Sequence, residues 1–121
     1  MNATVRDRYA ATASATVTAG GAVTLFLSGP RAWQMIDIGT VVVSSTRPAN
    51  NTFPSCSVFR GAQTAQNLLG ESRAADKVTF SGSVGDVLLP GDQLIVVVTN
   101  ALPGTIATAN LFGWTTTEAR T

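Results

Sequence analysis

The sequence predicts an all-β protein, an antiparallel β-sandwich or jelly roll of about seven to eight strands. Three observations predict it. Short β-branched and apolar runs recur along the chain, with glycine- or proline-marked turns between most of them. Seventeen threonines suit half-exposed strand faces. The stretch from Gly85 to Gly104, GDVLLPGDQLIVVVTNALPG, reads turn, strand, turn. In it Pro90-Gly91 and Pro103-Gly104 each suit a type II turn, proline fixing φ at one central position and glycine accepting φ > 0 at the next. Gln93 to Thr99 between them is apolar on both faces, as expected of a central strand or of one whose outer face meets a partner.

Residues 1–12 are expected as an N-terminal arm, with Arg6, Asp7, Arg8 and Tyr9 on one helical turn or extended, and residues 13–121 as the β-sandwich domain. Residues 13–19 alternate weakly and read as strand. Gly20-Gly21 signals a hairpin turn. Residues 22–28 alternate, with Val23, Leu25 and Leu27 on the core face. Residues 33–45 form a long strand in which Gly39 predicts a bulge, since the alternation changes phase there. Its core candidates are Trp33, Ile36, Ile38, Val41 and Val43, and Asp37 is expected to face solvent. Residues 47–54 are a loop by composition. Its Phe53 is read either as an exposed contact or as a folded-back anchor. Residues 55–60 are strand, 62–73 a loop or single helical turn, and 77–81 a strand with Val78 and Phe80 inward. Residues 82–91 are turn-rich. In the last strand, 105–116, Ile106, Thr108, Asn110, Phe112 and Trp114 alternate against Ala107, Ala109 and Leu111.

At 121 residues the chain is one domain, long enough to bury a core without metal or disulfide. Charged residues are 12% and hydrophobic ones 45%, which excludes a disordered charged tail. Eight Lys+Arg against seven Asp+Glu leave +1, no electrostatic footprint for nucleic acid. Arg31 with Trp33 and Phe59 with Arg60 are ordinary strand neighbours. So little charge on a small domain implies burial against neighbours. The N-terminal sequence does not read as a secretory signal, and apolar runs of about five residues are too short for a membrane helix. The expected setting is therefore inside a cell.

The chain has no histidine, which removes the commonest general base, the Ser-His dyad and most zinc sites. The single Cys56 reads as a small buried hydrophobe. No phosphate-binding glycine loop is present. A carboxylate-pair hydrolase would need two of Asp76, Asp86 and Asp92 across one cleft, and a calcium site would need all three. Each is expected instead to bond its own turn backbone. No cofactor, metal or catalytic residue is expected.

The ordered series Trp33; Val41-Val42-Val43-Ser44-Ser45; Cys56-Ser57-Val58-Phe59-Arg60-Gly61; Ser81-Gly82-Ser83-Val84-Gly85-Asp86; Leu89-Pro90-Gly91-Asp92-Gln93-Leu94; and Pro103-Gly104-Thr105-Ile106-Ala107-Thr108-Ala109 with Gly113 resembles small β-sandwich virion proteins of tailed bacteriophages, particularly those infecting actinobacteria. The resemblance spans roughly residues 17–113. It departs from the family at Phe59, where tyrosine is frequent, and at Val98, where tryptophan is common. It implies a non-enzymatic minor tail or capsid decoration protein, assembled in the host cytoplasm into the virion. Its partners would be other virion proteins and copies of itself. Tyr9, Phe26, Phe53 and Trp114 are the interface candidates. The alternative is a module binding host-surface carbohydrate, with Tyr9, Trp33, Phe53 or Trp114 stacking on sugar.

Overall fold

The computed structural model describes residues 3–73, 75–81 and 86–119. Among the described residues there are nine strands: β1 (Ala3–Thr16), β2 (Val23–Ser28), β3 (Gln34–Ser44), β4 (Ser55–Arg60), β5 (Leu68–Ser72), β6 (Lys77–Ser81), β7 (Val87–Leu88), β8 (Gln93–Thr99) and β9 (Ile106–Ala119). One sheet, A, has the order β1-β9-β3-β6, with β7 also on β3. The other, B, has the order β2-β8-β4-β5. Every pairing is antiparallel. This is the all-β sandwich that the alternation predicts. The two strands beyond the expectation are β7, only two residues long, and β5, which follows a 3-10 turn at Ala65–Asn67 inside the expected loop.

Both proline-glycine turns form. The Asp92 N–H donates to the Leu89 carbonyl and the Thr105 N–H to the Leu102 carbonyl, with φ of 92° at Gly91 and 84° at Gly104. β8 between them is a central strand, with Leu94, Val96 and Val98 buried on its inner face. The turn at Thr18–Ala22 forms around Gly21, but it does not join a hairpin. β1 and β2 lie in different sheets, and β1 pairs with β9 from Ala3↔Ala119 to Thr16↔Ile106. Residues 3–12 are thus extended and continuous with 13–16 in one strand. Residues 1–2 of the expected arm, and 82–85 of the turn-rich link, lie outside the described residues.

Between the sheets lie Leu25, Leu27, Ile36, Ile38, Val41, Val43, Cys56, Val58, Leu88, Leu94, Val96, Val98 and Leu111. Gly39 bulges as predicted: the register shifts between Ile38 and Thr40, so inward residues change from 36 and 38 to 41 and 43. The bulge brings two backbones together. A Cβ on Gly113 would lie 2.0 Å from the Asp37 carbonyl oxygen, so only glycine fits there. Val78 and Phe80 pack against the core, and the Phe80 ring lies over Gly70.

One core expectation is overturned. Trp33 is not buried but 54% exposed. It stands one residue out of phase with Ile36 and Ile38, and its φ of 65° lies in the left-handed region that a bulky residue rarely enters. The chain turns there into β3 and leaves the indole outside.

Candidate functional site

The carboxylates do not converge. Asp76 Oδ2 takes the Arg47 Nε at 2.8 Å and Nη2 at 2.6 Å, while its buried Oδ1 has no hydrogen-bond partner among the described residues. Asp92 Oδ2 accepts the Leu89 N–H at 3.0 Å, bonding its own turn as expected. Asp86 lines a crevice of only about 20 Å³ beside Ile38 and Phe80. Among the described residues, no three His, Cys, Asp or Glu side chains are grouped to hold a metal, and no helix is long and apolar enough to cross a membrane. Cys56 is buried, and desolvation pushes its thiol up to about 11. A thiol held neutral in this way is a packing group.

Several large apolar and aromatic side chains are exposed, and two groups of them lie on the outer faces of the two sheets. On sheet B the register places Phe26 opposite Ile95, Ile95 opposite Phe59 and Phe59 opposite Leu68. Directly opposed residues share a face, so one apolar row crosses all four strands. Phe26 is 52% exposed and Leu68 39%, while their neighbours bury Ile95 to 4%. The next row is Thr24, Val97, Ser57 and Glu71, so Glu71 is the one charge in the two rows.

Sheet A differs. Its outer face is threonine- and serine-rich at one end: Thr12, Ser14 and Thr16 on β1 oppose Asn110, Thr108 and Ile106 on β9, and the Ser14 and Thr108 hydroxyls lie 3.0 Å apart. At the other end Arg8 opposes Trp114, and Asp37 flanks Trp114 from β3. The guanidinium carbons of Arg6 and Arg8 stand 4.9 and 5.7 Å from the Trp114 ring centroid, both within cation–π range. Arg6 also approaches Asp37 at 3.9 Å. Two open hollows flank this cluster. One, of about 510 Å³, is walled by Trp33, Met35, Leu89 and Pro90, with Thr116 and Glu118 at its rim. The other, of about 440 Å³, lies over Gly39, Thr40, Phe112 and Gly113, with Arg8 at its edge.

The four sequence-derived interface candidates are not brought together. Phe26 lies on the outer face of sheet B and Trp114 on that of sheet A. Tyr9 is half-buried against the core. Phe53 is half-buried beneath Arg47, whose guanidinium lies 4.4 Å from the ring centroid, and its carbonyl accepts the Asn100 side-chain N–H at 3.2 Å. This is the placement of a folded-back loop anchor. Missed were Phe59, Ile95 and Leu68 on one face, and Met35, Leu89, Arg6 and Arg8 on the other. The i, i+2 spacing of Arg6 with Arg8, and of Phe112 with Trp114, is a same-face signal legible in the sequence. That the two pairs adjoin is not.

No family model matches the chain, and no curated protein matches it. Twelve chains of solved structures do. Among them are PliG of Aeromonas hydrophila, a periplasmic lysozyme inhibitor of g-type lysozyme, and the NLP core of Drosophila, described in terms of pentamer formation and histone binding. The first is 14% identical with a TM-score of 0.35, covering 97% of this chain and 85% of its own. The second is 14% identical with a TM-score of 0.33, covering 89% of this chain and 96% of its own. At these values neither likeness bears on what the chain does.

Proposed function

We propose that the chain is a non-enzymatic structural subunit that acts through protein–protein contacts in many copies, as a minor tail or capsid decoration protein of a tailed-phage virion. The observation that carries the assembly role is the apolar row Phe26–Ile95–Phe59–Leu68 across the nearly uncharged face of sheet B. A β-face this poor in charge is stable in water only when it is small or covered. Its size decides how it works. Four strands at about 4.8 Å spacing and six residues at about 3.3 Å rise give about 400 Å². Two such faces bury about 800 Å², less than the roughly 1,000 Å² of a durable pairwise interface. Such a contact holds when many copies sit side by side on a particle, where effective concentration multiplies weak affinities. The strand order β1-β9-β3-β6 over β2-β8-β4-β5 supports reading the sandwich as a jelly roll, an architecture used by viral capsid and lectin domains alike. That is fold-level analogy. The phage setting itself rests on the sequence resemblance.

The test is self-association measured by sedimentation over a wide concentration range, for the native chain and for Phe26→Ser/Leu68→Ser. The native chain is expected to associate weakly, and the double variant to stay monomeric with unchanged circular dichroism. A native chain that is monomeric at millimolar concentration would remove the physical basis of this assembly role. Immunogold labelling of intact particles tests the virion setting separately.

Host carbohydrate is the second reading, favoured by one observation: Trp33 stands exposed in a hollow beside Gln34, Thr116 and Glu118. A glycan array on which the native chain binds and Trp33→Ala does not would support it. Trp114 is a poorer sugar platform, because guanidinium groups occupy its ring.

A further inference from the structure

We propose that the outer face of sheet A binds an extended acidic polypeptide segment, seating a large apolar side chain in the Trp33–Met35–Leu89–Pro90 hollow and a carboxylate two residues away on Arg6 and Arg8. This site lies on the face opposite the apolar row and shares no residue with it, so the two stand or fall separately.

Three observations carry it. The first is the hollow: at about 510 Å³ it lies within the range of ligand sites, and its walls are an indole, a thioether, a leucine and a proline. Such walls recognise an apolar side chain. The second is charge. Arg6 and Arg8 project to the same side of β1 onto Trp114, and the Arg6 side chain is 61% exposed. Asp37, the nearest carboxylate to Arg6, is 3.9 Å away, too far for a hydrogen bond, so the guanidinium fork retains donors for an incoming carboxylate. Glu118 lies at the far rim of the hollow, which places like charge away from the arginines and orients an acidic ligand toward them. The third is register. Met35 and Arg6 flank Thr116, and Arg8 flanks Trp114 two residues along β9. One pleat of an extended strand is about 6.6 Å, the separation of residues i and i+2 on one face. An extended ligand following β9 therefore puts its anchor and its carboxylate two residues apart. Arg and Trp at the centre are also the residue types that dominate protein–protein hot spots.

Stacking of sugars on Trp33 is the competing chemistry in the hollow, and it needs neither guanidinium, so the arginine variants and the oligoglucuronate separate the two. Both tryptophans of the chain are at this site, so intrinsic fluorescence reports on it directly.

The experiment titrates the full chain with the synthetic peptide acetyl-Gly-Ser-Leu-Ser-Glu-Ser-Gly-amide, following tryptophan emission. Controls replace Glu by Gln or Leu by Ala in the peptide, and an oligoglucuronate provides acid without an apolar anchor. Saturable binding is expected, weakened at least tenfold by Glu→Gln or by Arg6→Ala/Arg8→Ala, and similarly by Met35→Asp. Unchanged circular dichroism of the variants separates lost binding from lost fold. Affinity should fall as salt rises. No saturable signal up to millimolar peptide would overturn the proposal. So would equal affinity for the Gln peptide, or binding of the oligoglucuronate in preference to the peptide.

Discussion

Single residues show where backbone geometry and side-chain chemistry set the limits. Gly113 and Gly104 are glycines for different reasons, and the same substitution separates them. At Gly113 a methyl would overlap the Asp37 carbonyl across the bulge, so Gly113→Ala should cost about 3 kcal/mol in urea denaturation. At Gly104 nothing lies within 4 Å and only the φ of 84° is at issue, so Gly104→Ala should cost about 1 kcal/mol. Trp33 presents the opposite case. Its left-handed backbone is relieved by glycine at about 1–2 kcal/mol, and the added freedom of the unfolded chain takes back about 0.5–1. Trp33→Gly should therefore shift stability by no more than about 1 kcal/mol, where loss of a buried aromatic would cost about 3–5. A large loss would mean that the indole is structural after all. Cys56 links burial to pH. Its folded-state value of about 11 lies above the ordinary 9.0, so the fold favours the neutral thiol. That contribution is whole below pH 9 and is lost as pH rises from 9 toward 11. The stability difference between the native chain and Cys56→Ala should shrink across that window, and the native thiol should resist a disulfide reagent until the chain is unfolded.

Among the elements, β1 and the 47–54 loop hold lessons of different kinds. β1 contributes fourteen consecutive pairs to β9 without a bulge, although its first half has little apolar periodicity. Arg6, Asp7 and Arg8 gave no strand signal because this end of β1 reaches a part of the sandwich where both faces are wet. Pairing with β9 decides its conformation, and tertiary partners override propensity in strands more readily than in helices. A chain starting at Ala13 would strip ten of those pairs and the Tyr9 contact with the core. Its urea midpoint should fall well below that of the full chain, and an unchanged midpoint would show residues 3–12 to be a dispensable arm. The 47–54 loop is held chiefly by Arg47, with Asn100 on the Phe53 carbonyl. Arg47 bonds Asp76, donates to the Asn50 carbonyl and covers Phe53. Its ion pair is about one-third exposed, so charge alone contributes little. With the ring contact and the two guanidinium contacts to Asp76 Oδ2, Arg47→Ala should cost about 1–2 kcal/mol.

For the whole molecule, the ends of the chain pair with each other: Ala3 with Ala119, across nearly the full sequence. A sandwich of such non-local pairings should fold in milliseconds to seconds, a range that stopped-flow refolding can check. The same long-range pairing divides what the sequence determined from what it did not. Local chemistry was enough for the two type II turns, for the Gly39 bulge, for β4, β6 and β8, and for the inward residues of β2 and most of β3. Period-two alternation names the residues that share a face, and glycine and proline name the places where the chain must turn. Neither says which strand lies beside which. Only the tertiary structure joined β1 to β9, set Arg6 and Arg8 against Trp114, lined up Phe26, Ile95, Phe59 and Leu68 from four separate strands, and left Trp33 outside. The physical reason is that a surface is made by cross-strand neighbours distant in sequence, whereas alternation records only what each strand does alone.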